Sequence, residues 1–144
     1  MLRVILMLGL LFVPVSANAY DYCKGNFCYQ KKARVTCLKP GVWSVLNKVA
    51  AQVGRLEITS GCDGKHATRS FHYTGRAVDF RAINASQKDV VAVLRKLPEV
   101  GGIGTYTRSL VHADIGGRKA AWHGQQGSRR RVAMWPVTLD VAGE

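Results

Sequence analysis

Between Cys62 and Asp114 the sequence gathers His66, His72, Asp79, His112 and Asp114, side-chain types suited to holding a divalent metal. A catalytic zinc ion takes three protein ligands from His and Asp/Glu and keeps a fourth position for water. Two histidines and one carboxylate meet that requirement. Such a site lowers the pKa of water toward about 7, polarises a scissile carbonyl and stabilises the oxyanion that follows. Spacing alone also permits a plain structural His–Asp pair, so the elements that carry these residues matter.

In the run Ser70-Phe71-His72-Tyr73-Thr74-Gly75-Arg76-Ala77-Val78-Asp79, the loop bearing His72 can double back through Gly75 onto a strand over residues 77–81. Glycine tolerates the tight backbone this needs. Alternation along the strand points Val78 and Phe80 one way and Asp79 the other. Ala77 shares the face of Asp79 and leaves space for a metal. On an extended strand His112 and Asp114 also share one face, so a metal held by His112 would have Asp114 beside it or behind its ring.

The scaffold is read from periodicity. Residues 20–39 are rich in Gly, Lys and Cys without pattern, and read as a disulfide-stapled arm or loop. Pro40 opens a helix in its permitted first turn, Val42, Val45, Leu46 and Val49 give it a buried stripe, and Gly54 ends it. Residues 55–59 alternate as a strand and lead into a polar loop over 62–69. Ser86 caps a second helix, with Val90, Val91, Val93, Leu94 and Leu97 buried, that stops before Pro98. Gly101 to Gly104 turn the chain into a strand pair whose second member spans 109–114. Residues 131–139 form a last strand, with Pro136 marking an edge or bulge. The expected fold class is α+β: a small antiparallel sheet with flanking helices, in one domain over residues 40–144.

The start of the chain reads as an export signal over residues 1–19: Arg3, an apolar run over 4–15, and Ala17-Asn18-Ala19 with cleavage after Ala19. The run is about a dozen residues, short of the roughly 20 a membrane-spanning helix needs. Four cysteines, Cys23, Cys28, Cys37 and Cys62, then imply two disulfides in a secreted or periplasmic protein, with three pairings open. No C-x-x-C pair supports a cysteine zinc site. Lys and Arg number 21 against 9 acids, a net charge of +12, which favours polyanionic surroundings such as cell wall, nucleic acid or anionic lipid without choosing among them. Arg129, Arg130 and Arg131 read as a solvated face. Without regular aromatic interleaving, the basic residues do not suggest a nucleic-acid partner, and the chain is read as a monomer without a stable membrane span.

Three motifs then occur in order: Ser-x-His-x-x-Gly-x-Ala-x-Asp over 70–79, Gly-Gly-x-Gly-x-Tyr over 101–106 and Val-His-x-Asp over 111–114. Together they resemble the D-alanyl-D-alanine carboxypeptidase and murein endopeptidase family of zinc peptidases. The hedgehog signalling domain and lysostaphin-type enzymes share the related metal-site fold. The likeness covers roughly residues 42–122 and implies a hedgehog-like fold with Zn2+ held by His72, Asp79 and His112. It implies a peptidoglycan peptide as substrate, with Arg69, Ser70, Tyr106 and Trp122 lining the substrate side.

The sequence departs from the family pattern in two places. Relatives carry an acid three residues before the last ligand or a His two before it, and Ser109 and Leu110 stand there. Asp114 is therefore the first choice for the catalytic base, with His66 and His123 as alternatives. Carboxypeptidase members often carry Ser-Gly-Tyr-Arg, whose arginine holds the substrate carboxylate, whereas this chain has Ser60-Gly61-Cys62-Asp63. An acid there would repel that carboxylate, although Arg69 could reach in. The expectation is an endopeptidase cutting within stem-peptide cross-links rather than a D-Ala-D-Ala carboxypeptidase. A non-catalytic zinc-containing wall-binding module is the alternative.

Overall fold

A computed structural model describes residues 22–124 together with the backbone of 131–134. The export signal over 1–19, Arg129 and Arg130, and the tail beyond 134 lie outside the described residues. Elements run β1 (Tyr22–Lys24), β2 (Phe27–Tyr29), α1 (Pro40–Val53), β3 (Leu56–Ser60), a 3₁₀ turn (Phe71–Thr74), β4 (Ala77–Ala82), α2 (Gln87–Arg95), β5 (Gly102–Tyr106), β6 (Val111–Asp114), β7 (Ala120–Gly124) and β8 (Arg131–Met134). The class is mixed α+β. Among the described residues no helix is long and apolar enough to cross a membrane.

The eight strands form one sheet in the order β1-β2-β3-β4-β6-β5-β7-β8. Expectation and structure differ here: β2 pairs with β3 in parallel, and so does β5 with β7. A parallel pair needs a crossover rather than a hairpin, and α1 supplies it between β2 and β3. The arm is accordingly not a mere loop, because β1 and β2 make an antiparallel hairpin that extends the sheet. Gly102 and Gly104 lie within β5 rather than in a turn. β7 was not anticipated, and β8 ends at Met134 among the described residues.

α1 begins at Pro40, whose missing N–H costs nothing in the first turn, and stops where Gly54 adopts φ 82°. α2 is capped reciprocally: the Ser86 hydroxyl accepts from the Asp89 N–H and the Asp89 carboxylate accepts from the Ser86 N–H. Val42, Val45, Leu46 and Val49 of α1 and Val90 and Leu94 of α2 pack on one face of the sheet with Leu56, Ile58, Val78, Phe80, Ile103, Val111 and Ala113. Each fully buried large side chain contributes about 1.5–3 kcal/mol relative to exposure. The strand alternation that commits these residues to the helices sends Asp79, His112, Gly104 and Trp122 to the other face, side by side in register.

Two disulfides, Cys23–Cys28 and Cys37–Cys62, resolve the open pairing. The first closes the β1–β2 hairpin and the second ties the arm to the end of β3. Such bridges belong to oxidising compartments, consistent with an extracellular location.

Candidate metal centre

Asp79 and His112 are direct partners across β4 and β6, so the sheet itself places one carboxylate against one imidazole. His72 comes from outside the sheet. The 3₁₀ turn that carries it starts at Ser70, whose hydroxyl accepts from the His72 N–H, and ends at Gly75 in the left-handed region at φ 68°. Arg76 anchors that turn, with its guanidinium 4.8 Å from the Phe71 ring centre and Nη2 donating to the Ile115 carbonyl. A register shift between Ile58 and Ser60 of β3, opposite Phe80 and Asp79, marks a bulge at that strand end.

Three ligand atoms converge. His72 Nε2 lies 3.2 Å from Asp79 Oδ1 and 3.1 Å from His112 Nδ1, and His112 Nδ1 lies 2.9 Å from Asp79 Oδ1. Ligands held about 2.0–2.1 Å from a tetrahedral ion stand about 3.3 Å apart, so the triangle is close to that size. The opposite ring nitrogens are also engaged. His72 Nδ1 meets the Gly61 carbonyl oxygen at 2.5 Å, which makes Nδ1 the protonated nitrogen and leaves the Nε2 lone pair facing the triangle. His112 Nε2 meets Asp114 Oδ2 at 3.3 Å, leaving Nδ1 facing it likewise. The donor set could therefore hold a metal ion, with His72 Nε2, Asp79 Oδ1 and His112 Nδ1 as its ligand atoms.

Burial agrees with this arrangement, and the charges show that protons compete with a metal for the same atoms. His72, His112 and Asp114 are the buried polar side chains of the described residues. Burial opposes ionisation of Asp79, but when His112 and His72 carry protons toward it rather than lone pairs toward an ion, their hydrogen bonds outweigh burial and hold the carboxyl well below the usual range. Burial likewise disfavours charge on His112, yet its bonds to Asp114 and Asp79 raise its pKa above the ordinary value. For Asp114, burial is outweighed by His112 and by the Gly116 and Gly102 N–H groups, so its pKa is lowered.

The remaining predicted residues separate. Asp114 Oδ1 accepts from the N–H groups of Gly102 at 2.9 Å and Gly116 at 2.8 Å while Oδ2 faces His112, so both oxygens are committed on the side of His112 away from the triangle. His66, His72 and Asp79 also each bring a ligand atom within 4.8 Å of one another. His66 Nε2, however, meets the Asp63 carbonyl at 2.6 Å and its ring stacks flat on His72, with centroids 3.7 Å apart. His112 closes the tighter set. Burial, then the neighbouring His72, lowers the pKa of His66. His123 is exposed, bonded to Thr105, and falls on the face of β7 opposite Trp122.

A cleft of about 270 Å³ opens beside His112 and Asp114, with Arg69, Ser70, Trp122 and Arg118 among its lining residues. Tyr106 does not line it. That residue is buried, and its hydroxyl accepts from Trp122 Nε1 at 2.9 Å, so it braces the indole from behind. Ser109 is an exposed turn residue with φ 58°. Arg118, the Gly61 carbonyl and the N–H groups of Gly102 and Gly116 carried no sequence signal for a role here. Comparison with known protein families, curated proteins and solved structures finds no match.

Proposed function

We propose that this protein is an exported zinc-dependent peptidase that hydrolyses peptide bonds of peptidoglycan stem peptides, on a hedgehog-like scaffold. The observation that carries this reading is the triangle of His72 Nε2, Asp79 Oδ1 and His112 Nδ1, with both histidines buried, beside a cleft that His112 helps to line. A zinc ion bound by these three atoms supplies Lewis acidity, activating water and polarising a peptide carbonyl. Asp114 orients His112, and the Gly61 carbonyl orients His72. Trp122, braced by Tyr106, gives the cleft an apolar wall, and Arg69 and Arg118 give it positive charge suited to the free carboxylates of a stem peptide. Asp63, at the place where an arginine would hold a terminal carboxylate, instead accepts from the N–H groups of Gly61 and Arg34. That favours an endopeptidase over a carboxypeptidase.

One observation favours a second reading, a non-catalytic zinc-containing wall-binding module. Both Asp114 oxygens are already occupied, and Ser109 and Leu110 stand where a base would be expected. Incubating the purified protein with muropeptides, with and without a chelator, separates the readings by mass spectrometry. Chelator-sensitive splitting of cross-linked dimers supports the endopeptidase and release of terminal D-alanine the carboxypeptidase. Zinc retention with no product in any muropeptide supports the binding module.

A further inference from the structure

We propose that the Cys37–Cys62 disulfide positions the metal ligand His72, so that the site reaches full metal affinity only where that bridge can form. The inference rests on the metal reading above. Its basis is the Gly61 carbonyl, which fixes the protonated nitrogen of His72 and belongs to the residue just before Cys62.

Gly61 is held by the arm. Its N–H donates to Asp63 Oδ1 at 3.0 Å, and the same oxygen accepts from the Arg34 N–H at 2.9 Å. The Cys62 N–H donates to the Arg34 carbonyl at 2.9 Å, and Gly61 lies so close to that carbonyl that a β-carbon would overlap it. The other end of the His72 loop meets the arm as well. Gly75 packs against the Cys37 carbonyl with no room for a β-carbon, and the Lys39 N–H donates to the Gly75 carbonyl at 2.8 Å. The stretch 34–39 thus touches both ends of the segment 61–75 that carries His72, and the disulfide joins the two contact regions.

That stretch is held by Leu38 in the core, by Ala33 and Val35 packed on it and by the contacts above, not by a helix or strand of its own. Residues 31–39 contain no helix or strand, and Leu38 alone among them is buried. The bridge ties Cys37, at the Gly75 contact, to Cys62, next to Gly61, across 25 residues of sequence. Without it, the Gly61 carbonyl is no longer fixed opposite His72 Nδ1, and the imidazole loses the partner that aims Nε2 at the metal. Loss of such a partner typically weakens metal binding about 10- to 100-fold. The Cys23–Cys28 bridge serves as an internal control, because it closes a hairpin at the sheet edge.

The test compares zinc affinity, by chelator competition, in the full chain, in Cys37→Ala/Cys62→Ala, in Cys23→Ala/Cys28→Ala and in Asp63→Ala. Urea unfolding of each metal-free protein and the visible spectrum of each cobalt-loaded one are recorded alongside. The expected result is about 10- to 100-fold weaker zinc binding and a changed cobalt spectrum in Cys37→Ala/Cys62→Ala, with Cys23→Ala/Cys28→Ala like wild type. Asp63→Ala keeps the bridge but frees Gly61, and should shift affinity in the same direction even if the double variant folds poorly. Unchanged affinity in a folded Cys37→Ala/Cys62→Ala protein overturns the proposal, as does unchanged affinity in Asp63→Ala where the double variant does not fold, or an equal loss in the Cys23→Ala/Cys28→Ala control. Wild-type protein that takes up no zinc overturns the metal reading itself, before any variant is compared.

Discussion

Asp114 meets His112 at Nε2, 3.3 Å away, on the edge of the imidazole opposite the Nδ1 that faces His72 and Asp79. Under the proposed metal reading, a carboxylate in that place would aim and strengthen the imidazole as a ligand. Asp114→Asn should therefore weaken zinc binding by about 10- to 100-fold, with hydrolysis restored when zinc is in excess. Zinc titration and muropeptide turnover measured together decide the matter. A fall in turnover at full zinc occupancy would return Asp114 to the role of base.

His72→Ala, Asp79→Ala and His112→Ala should each abolish stoichiometric zinc binding while leaving far-UV circular dichroism unchanged. The helices and the core face of the sheet are built from other residues, and two disulfides remain. Elemental analysis of the purified variants provides the check. Full occupancy in His112→Ala with loss in a His66→Ala protein would replace His112 by His66 in the site.

A β-carbon at Gly104 would stand 2.5–2.6 Å from the Trp122 indole. Gly104→Ala should push the indole off its hydrogen bond to Tyr106 and cost about 1–3 kcal/mol through overpacking. Urea unfolding reads the cost, and tryptophan fluorescence reads the displacement. A variant with wild-type stability and emission would mean that the cleft wall is loosely packed.

The Ser86 hydroxyl, followed by the Ser86 N–H, holds the Asp89 carboxyl below its ordinary pKa. A depressed folded-state pKa stabilises fully above the unfolded value of about 3.9 and ceases to do so as pH falls through the folded value. The stability gap between wild type and Asp89→Ala should thus be constant near neutrality and close on acidification. Ser86→Ala should cost about 1 kcal/mol at neutral pH. Urea midpoints across the acid range test both, and a pH-independent gap for Asp89→Ala would count against the reciprocal cap.

Much of the positioning is written in local sequence. Pro40 and Gly54 bound α1, Ser86 caps α2, and the alternation of Val78, Asp79 and Phe80 assigns the carboxylate to the face away from the helices. The same period-two rule puts His112 and Asp114 together on β6, and the freedom of Gly75 brings His72 back over the sheet. These are properties of a few consecutive residues, so a short window carries them.

What the fold alone decided depends on atoms far apart in the chain. Residues 22–29 have no signal for pairing with β3, because a parallel strand is defined by its partner across the α1 crossover and not by its own turn. β5 contains Gly102 and Gly104, poor strand formers that become acceptable where the Asp114 carboxylate and the Trp122 indole occupy the space of their missing side chains. Proximity in sequence made Asp114 a candidate base, whereas the backbone N–H groups of Gly102 and Gly116 turn its carboxylate behind His112. Composition implied two disulfides, but the pairing of Cys37 with Cys62, which brings the arm against the Gly61 carbonyl, required the sheet to be assembled first.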